Sequence, residues 1–165
     1  MATTESFPNL SKYTEIAIDL ETKDPDLIKM GSGSVVGKGN VVGVAVAVQG
    51  WSGYYPIAHE GGGNMDKTKV LKWFQGVLNT PAVKIFHNAM YDVCWIRSLN
   101  LSINGKIIDT MIASAIVDEN QMRYDLNSCA KRYTGKGKNE VIYILQQKIG
   151  VLTPKQKCIN YLPFM

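Results

Sequence analysis

Two carboxylates, Asp19 and Glu21, end an apolar run in which burial should discourage charge. The run TEIAIDL, residues 14–20, alternates and then becomes apolar, which predicts a buried strand. Residues i and i+2 of a strand share a face, so the two carboxylates are expected to project together. Neighbouring carboxylates repel each other unless a cation lies between them. The pair is therefore either a site for a hard divalent cation or an acidic strand end that enters solvent.

A second cluster of polar residues lies in the segment FHNAMYDVCWI, residues 86–96. A helix that begins near Asn88 places Tyr91 and Asp92 one turn further on, so all three can face the same neighbour. The rest of this helix is strongly apolar, and a charge such as Asp92 on a largely buried element needs a partner or a metal ion. His87 could act as a general base, although a lone histidine at a strand-to-helix junction is more often a structural hydrogen-bonding residue.

Periodicity and turn signals indicate the elements that must position these residues. Apolar runs predict strands over residues 41–48, 52–58, 83–86 and 107–108. The first two of these strands flank a short Gln49-Gly50-Trp51 connection, which predicts an antiparallel hairpin. The glycine-rich segment 31–40 is predicted to be a loop, and its glycines fit neither a dinucleotide-binding nor a P-loop spacing.

Helices are predicted after Asp66 and after Asp109, each of which is a candidate N-cap. A further helix is predicted from about Asn88 to Leu99, and the pattern is helical again from Tyr124 onward. The sequence therefore predicts an α/β protein, in which a mixed sheet with an early hairpin is followed by helices.

Length and composition limit the class of protein. The chain has 165 residues, of which 45% are hydrophobic and 19% charged, and this is enough for one domain with a core. No apolar run approaches the ~18 residues of a membrane helix, and the first residues do not resemble a secretory signal. Three widely spaced cysteines suggest a reducing compartment. A secreted, membrane-spanning or zinc-ribbon protein is thus not expected.

Charge is unevenly distributed along the chain. Residues 128–165 carry seven Lys or Arg and one acid, whereas residues 1–127 carry eleven basic and thirteen acidic residues. A basic stretch beside an acidic remainder suits a polyanionic ligand held near a cation site, or simply reflects a solvated helix surface.

Together the two polar clusters form a more specific pattern than either alone. A strand-borne Asp-x-Glu, followed ~70 residues later by a helix-borne Asn-x-x-Tyr-Asp, resembles the DnaQ-like 3′–5′ exonucleases, whose fold is RNase H-like. The details look closest to the proofreading domain of phage-type family A DNA polymerases. The resemblance covers roughly residues 7–164, and it is also carried by the segments FPNLSKYTEIAIDLETKDP, YYPIAHEGGGNMD, IIDTMIASAIVDEN and YDLNSCAKRYTGKGKNE.

The resemblance implies two-metal hydrolysis of phosphodiesters with Mg²⁺ or Mn²⁺. Catalytic and metal-binding roles then fall to Asp19, Glu21 and Asp92. It further implies that the backbone amide of Thr22 and the side chain of Asn88 position the 3′-terminal nucleotide. Tyr91 would pack beside the scissile bond.

The implied substrate is a single-stranded or frayed 3′ end of DNA, in the cytoplasm of a bacterial or phage-infected cell. Basic side chains that could contact its phosphates are Lys131, Arg132, Lys136 and Lys138, although these could equally be an ordinary helix surface. The resemblance also leaves room for a polymerase domain that follows in a longer protein.

One departure from the family pattern concerns its third motif, a Tyr or His followed four residues later by Asp. Tyr161 is followed at that spacing by Met165, and no other Tyr or His in the sequence has an Asp there. The expectation is that residues 1–165 form a single exonuclease-like domain truncated before this motif, with weak activity. The alternatives are a catalytically incomplete module that binds single-stranded 3′ ends and a purely structural domain.

Overall fold

The structure is a computed structural model that describes residues 6–135. Its strands are β1 (Glu15–Lys23), β2 (Asn40–Val48), β3 (Trp51–Pro56), β4 (Val83–Phe86) and β5 (Ile107–Asp109). Its helices are α1 (Leu27–Met30), α2 (Gly33–Val36), α3 (Lys67–Leu78), α4 (Ala89–Ser98), α5 (Thr110–Val117) and α6 (Leu126–Thr134). Between residues 6 and 135, no helix is long and apolar enough to cross a bilayer.

The strands form one mixed sheet in the order β3-β2-β1-β4-β5. The pairs β1–β2 and β2–β3 are antiparallel, and the pairs β1–β4 and β4–β5 are parallel. This arrangement confirms the predicted α/β class with an antiparallel hairpin early in the chain. The mixed sheet with flanking helices is the RNase H-like fold that the resemblance implied.

The apolar core lies mainly between the central strands and the helices that pack on them. Its long apolar run makes β2 almost completely buried, as expected for a strand covered on both faces, whereas β1 is buried at residues 16–18 and at Leu20. Helix α3 contributes an apolar stripe at helical spacing. Side chains in this core include Ile16, Ile18, Leu20, Val44, Val46, Val70, Phe74, Leu78, Phe86 and Ile96.

Strand β1 is much longer than its pairing with β4. Only Glu15, Ile16 and Ala17 pair with β4, whereas pairing with β2 continues to Lys23. On the β4 side, the second half of β1 is therefore free of strand neighbours. Helix α4 follows β4 directly in the chain, and it begins beside this uncovered part of β1.

Several element bounds differ from those predicted. Strand β1 continues past residue 20, because pairing with β2 supports it beyond the apolar run. Trp51 belongs to β3, so the hairpin turn is Gln49-Gly50. The segment 31–40 is not entirely loop, since α2 forms within it and ends at Gly37 in a left-handed conformation (φ 72°).

Other predictions of elements are confirmed. The side chain of Asp66 accepts a hydrogen bond from the amide of Lys69 and caps α3, and Asp109 caps α5. Strand β4 has the predicted bounds, and β5 extends one residue further than expected. The segments KNEVIYILQQKIG and PKQKCINYL, which the sequence pattern predicts to be helical, lie outside the described residues, as do Lys136, Lys138 and Tyr161.

Candidate active site

A cleft of about 340 Å³ lies where α4 begins beside the uncovered part of β1. It brings together residues from β1, α4, α5 and the start of α6. Its lining comprises Asp19, Leu20, Leu27, His87, Asn88, Tyr91, Asp92, Met111, Asp125 and Leu126. Four of the residues singled out from sequence, Asp19, Asn88, Tyr91 and Asp92, thus share one cleft.

Asp92 is the buried carboxylate of this cleft, with a side chain that is 3% exposed. Its Oδ1 accepts a hydrogen bond from the backbone amide of Leu20 at 3.0 Å. This amide lies in the part of β1 that has no partner in β4. The Asp92 carboxylate therefore accepts a hydrogen bond that a neighbouring strand would otherwise accept. Helix α4 is thereby fixed against β1 between Asp19 and Glu21.

Asp19 and Glu21 are half-buried on β1 and lie opposite Ala45 and Gly43 of β2. Both residues precede the irregularity in the β1–β2 register at Glu21/Thr22, so the regular alternation holds between them. Burial raises the pKa of Tyr54, and the negative charges of Glu21 and Asp19 raise it further. Both carboxylates thus act on the same neighbouring hydroxyl.

Carboxylate groups of Asp19 and Asp92 line the same cleft. Hard divalent cations bind oxygen ligands of this kind. The geometry is less compact than a finished metal centre. Within residues 6–135, no three side chains of the His, Cys, Asp and Glu types come together closely enough to hold an ion.

Asn88 lies at the turn from β4 into α4 with a left-handed backbone (φ 69°), and its side chain does not cap the helix. Asp109, the last residue of the neighbouring strand β5, caps α4 instead. Its Oδ1 accepts from the amide of Asn88 at 3.1 Å, and its Oδ2 accepts from the amide of Ala89 at 2.8 Å. The same side chain caps α5 through Met111 and Ile112. The side chain of Asn88 is thus left exposed at the cleft.

Tyr91 is anchored to β1 and to the segment that follows it. Its hydroxyl lies 2.7 Å from Oγ1 of Thr22 and donates to Oδ2 of Asp24 at 3.0 Å. Asp24 Oδ2 also accepts from the amide of Gly33 at 2.9 Å. The role of Asp24 was not foreseen, because the only signal in the sequence is an acid two residues after Thr22, before a proline.

His87 uses both ring nitrogens in contacts within the fold. Its Nε2 donates to the carbonyl oxygen of Tyr124 at 2.9 Å, and its Nδ1 lies 2.9 Å from Oγ1 of Thr110. These bonds connect β4 to α5 and to the segment before α6. The interpretation of His87 as a structural hydrogen-bonding residue is confirmed.

The basic residues of α6 lie apart from the carboxylates. Lys131 and Arg132 are exposed and do not line the cleft. The start of the same helix does line it. Arg132 donates to the backbone carbonyl of Arg123 at 3.3 Å. Asp125, which was not singled out from sequence, caps α6 by accepting from the amide of Ser128 and lines the cleft.

A mixed sheet whose strand-borne and helix-borne carboxylates meet at one cleft is the arrangement that the resemblance to RNase H-like 3′–5′ exonucleases implied. Residues 2–157 match the model of a family described as 3′–5′ exonuclease. The chain belongs to this 3′–5′ exonuclease family, and the resemblance to DnaQ-like exonucleases is confirmed.

Its similar sequences include DNA polymerases. The chain is 28% identical over 159 residues to DNA polymerase DpoZ of Salmonella phage PMBT28, covering 94% of this chain and 23% of the polymerase. It is 31% identical over 127 residues to DNA polymerase I of Pseudomonas aeruginosa, covering 73% of this chain and 13% of that protein. The chain therefore spans less than a quarter of the length of these relatives.

A solved structure supports the fold. Brucella melitensis NrnC with bound Mg²⁺ superimposes with a TM-score of 0.59 at 17% identity, covering 93% of this chain and 69% of NrnC. At this identity the likeness concerns the arrangement of the sheet and helices alone.

Proposed function

We propose that this chain is a proofreading exonuclease domain, which removes nucleotides from the 3′ end of single-stranded or frayed DNA. The observation that carries the proposal is the meeting of Asp19 and Asp92 at one cleft, with Glu21 on the same strand as Asp19. Membership of the 3′–5′ exonuclease family supplies the reaction class.

The family is metal-dependent, and the proposed ions are Mg²⁺ or Mn²⁺ held by Asp19, Glu21 and Asp92. When bound, such a pair of ions lowers the pKa of an attacking water and stabilises the departing 3′ oxygen. The buried Asp92 already has one oxygen committed to the Leu20 amide.

The remaining cleft residues are proposed to hold the terminal nucleotide. Asn88 presents an exposed amide side chain at the entrance, and the ring of Tyr91 is fixed through its hydroxyl. The backbone amide of Thr22 is a proposed contact for the same nucleotide. Lys131 and Arg132 lie further along α6. The phosphates that they are proposed to contact therefore belong to nucleotides before the 3′-terminal one.

A second candidate function is binding of single-stranded 3′ ends without turnover. The observations that favour it are contacts that commit cleft residues to the fold. Both ring nitrogens of His87 are used in contacts with Thr110 and Tyr124, and Oδ1 of Asp92 accepts from the Leu20 amide. The two functions differ in product formation but share the cation site and the cleft.

The relatives suggest the setting in which the domain works. Because they are DNA polymerases of phage and bacterial origin, we propose that the domain edits the primer strand for a polymerase domain in the same protein. The proposed location is the cytoplasm of a bacterial or phage-infected cell.

The test is a 5′-labelled single-stranded oligonucleotide incubated with the purified chain and Mg²⁺ or Mn²⁺. Asp19→Asn and Glu21→Gln should abolish shortening of the strand, whereas Glu15→Gln, the same change at the exposed start of the same strand, should not. Binding at increasing salt, measured in parallel, identifies a binding module that does not cleave. Shortening that persists in Asp19→Asn would overturn the proposed site.

A further inference from the structure

Tyr54 lies beside the carboxylate pair because a glycine leaves room for it. Glu21 of β1 is opposite Gly43 of β2, and Tyr54 of β3 is opposite Ala45. A Cβ atom placed on Gly43 would lie 2.0 Å from the Tyr54 hydroxyl oxygen. The hydroxyl thus occupies the position of the missing side chain, directly across from Glu21.

This position is within reach of the Glu21 carboxylate. Residues directly opposite on antiparallel strands have Cβ atoms about 4.5–5.5 Å apart. The hydroxyl of Tyr54 takes the place of one such Cβ, and a glutamate side chain extends further than the remaining gap. Glu21 and Asp19 lie close enough to this hydroxyl that their negative charges raise the pKa of Tyr54.

The hydroxyl is also held from the other side. It is hydrogen-bonded to Nε2 of His59, and the two rings meet edge to face with centroids 5.9 Å apart. His59 is in turn fixed by Asn64, which accepts from its amide at 2.7 Å and donates to its carbonyl at 2.8 Å. The phenol of Tyr54 therefore lies between the loop that contains His59 and Asn64 and the strand β1, which carries Glu21.

We propose that Tyr54, clamped by His59, is a positioning residue that orients the carboxylate of Glu21; this inference rests on the proposed function. In the hydrogen-bond arrangement that follows, Nε2 of His59 donates to the Tyr54 oxygen. The phenolic hydrogen is then free to be donated to Glu21. A carboxylate held in this way presents its other oxygen towards the cation site, as outer partners of metal ligands commonly ensure.

The experiment compares two adjacent tyrosines. Tyr54→Phe removes only the hydroxyl beside Glu21, and Tyr55→Phe removes a hydroxyl that donates to the Ser6 carbonyl at 3.1 Å. Binding of Mn²⁺ alone is measured by titration calorimetry on the purified chain, and folding is checked by thermal unfolding. The expected result is about tenfold weaker Mn²⁺ binding for Tyr54→Phe, with Tyr55→Phe equal to the parent.

Gly43→Ala provides a second variant, because the added methyl group displaces the Tyr54 hydroxyl without changing the tyrosine. It should weaken Mn²⁺ binding to a similar degree. Unchanged Mn²⁺ binding in Tyr54→Phe, with binding abolished in Asp19→Asn, would overturn this inference and leave the proposed function intact. Unchanged binding in Asp19→Asn would overturn the proposed function, and the inference with it.

Discussion

Asp92 accepts a hydrogen bond from the backbone amide of Leu20, a residue 72 positions earlier in the chain, at 3.0 Å. The bond joins α4 to the part of β1 that has no partner in β4. It places the buried carboxylate beside the residue that follows Asp19. One contact therefore serves both the packing of α4 and the assembly of the cleft.

The two roles of Asp92 can be separated by substitution. Asp92→Ala leaves the Leu20 amide without an acceptor and should lower the free energy of unfolding by about 1–3 kcal/mol. Asp92→Asn keeps an oxygen acceptor and should cost clearly less, while both variants lose the negative charge and with it Mn²⁺ binding. Urea denaturation and calorimetric Mn²⁺ titration check these outcomes. Equal destabilisation by the two variants would show that the charge, and not the hydrogen bond, holds α4.

Asp109 should be more important for stability than an ordinary helix cap. Its carboxylate accepts from amides at the starts of both α4 and α5, whereas Asp66 accepts from the single amide of Lys69. Asp66→Ala should cost about 1 kcal/mol, a usual value for an N-cap. Asp109→Ala should cost about 2 kcal/mol or more, measured by urea denaturation of both variants. Equal losses would contradict the double cap.

Much of this fold could be predicted from local sequence signals. A long apolar run predicted β2 and the short segment VKIF predicted β4. An acid before an amphipathic run predicted the caps of α3 and α5, because these signals act within a few residues. The sharing of a face by Asp19 and Glu21 followed from the strand period of two.

The long-range contacts of the site could not be predicted in this way. The Asp92–Leu20 bond depends on how far β1 runs past β4, and this is set by pairing registers that are not visible in either segment alone. The position of Tyr54 depends on which β2 residue is opposite Glu21, and a glycine within an apolar run gives no local sign of that. The second capping role of Asp109 likewise depends on β5 lying next to β4.

Asp24 is expected to hold the segment between β1 and β2 against α4. Asp24→Ala removes the acceptor of both the Gly33 amide and the Tyr91 hydroxyl, so hydrogen exchange at the Gly33 amide should accelerate by about tenfold. The control is Asp26→Ala, which breaks only an exposed ion pair with Lys38 and should leave that amide unchanged. Equal exchange at Gly33 in the parent and in Asp24→Ala would show that the segment is held by other contacts.

Lys84 is a fully buried cation that should make stability depend on alkaline pH. Its ammonium group donates to the carbonyl oxygens of Thr80, Ala82 and Asn104 at 2.6, 3.0 and 2.8 Å. Lys84→Met leaves these carbonyls without that donor and should lower the free energy of unfolding at pH 7 by about 2 kcal/mol.

The pH dependence of this effect has a definite sign. Burial lowers the pKa of Lys84, so above its folded pKa, and up to the unfolded value of about 10.4, the unfolded chain binds more protons than the folded one. The free energy of unfolding of the parent should therefore rise, relative to that of Lys84→Met, as the pH increases through this window.

Urea denaturation of both proteins between pH 7 and about 10.4 measures the difference, in which the titration of shared tyrosines cancels. Lys72→Met, at an exposed position of α3, controls for the loss of one lysine charge. A difference between parent and Lys84→Met that is constant across the window would show that burial does not favour the neutral amine.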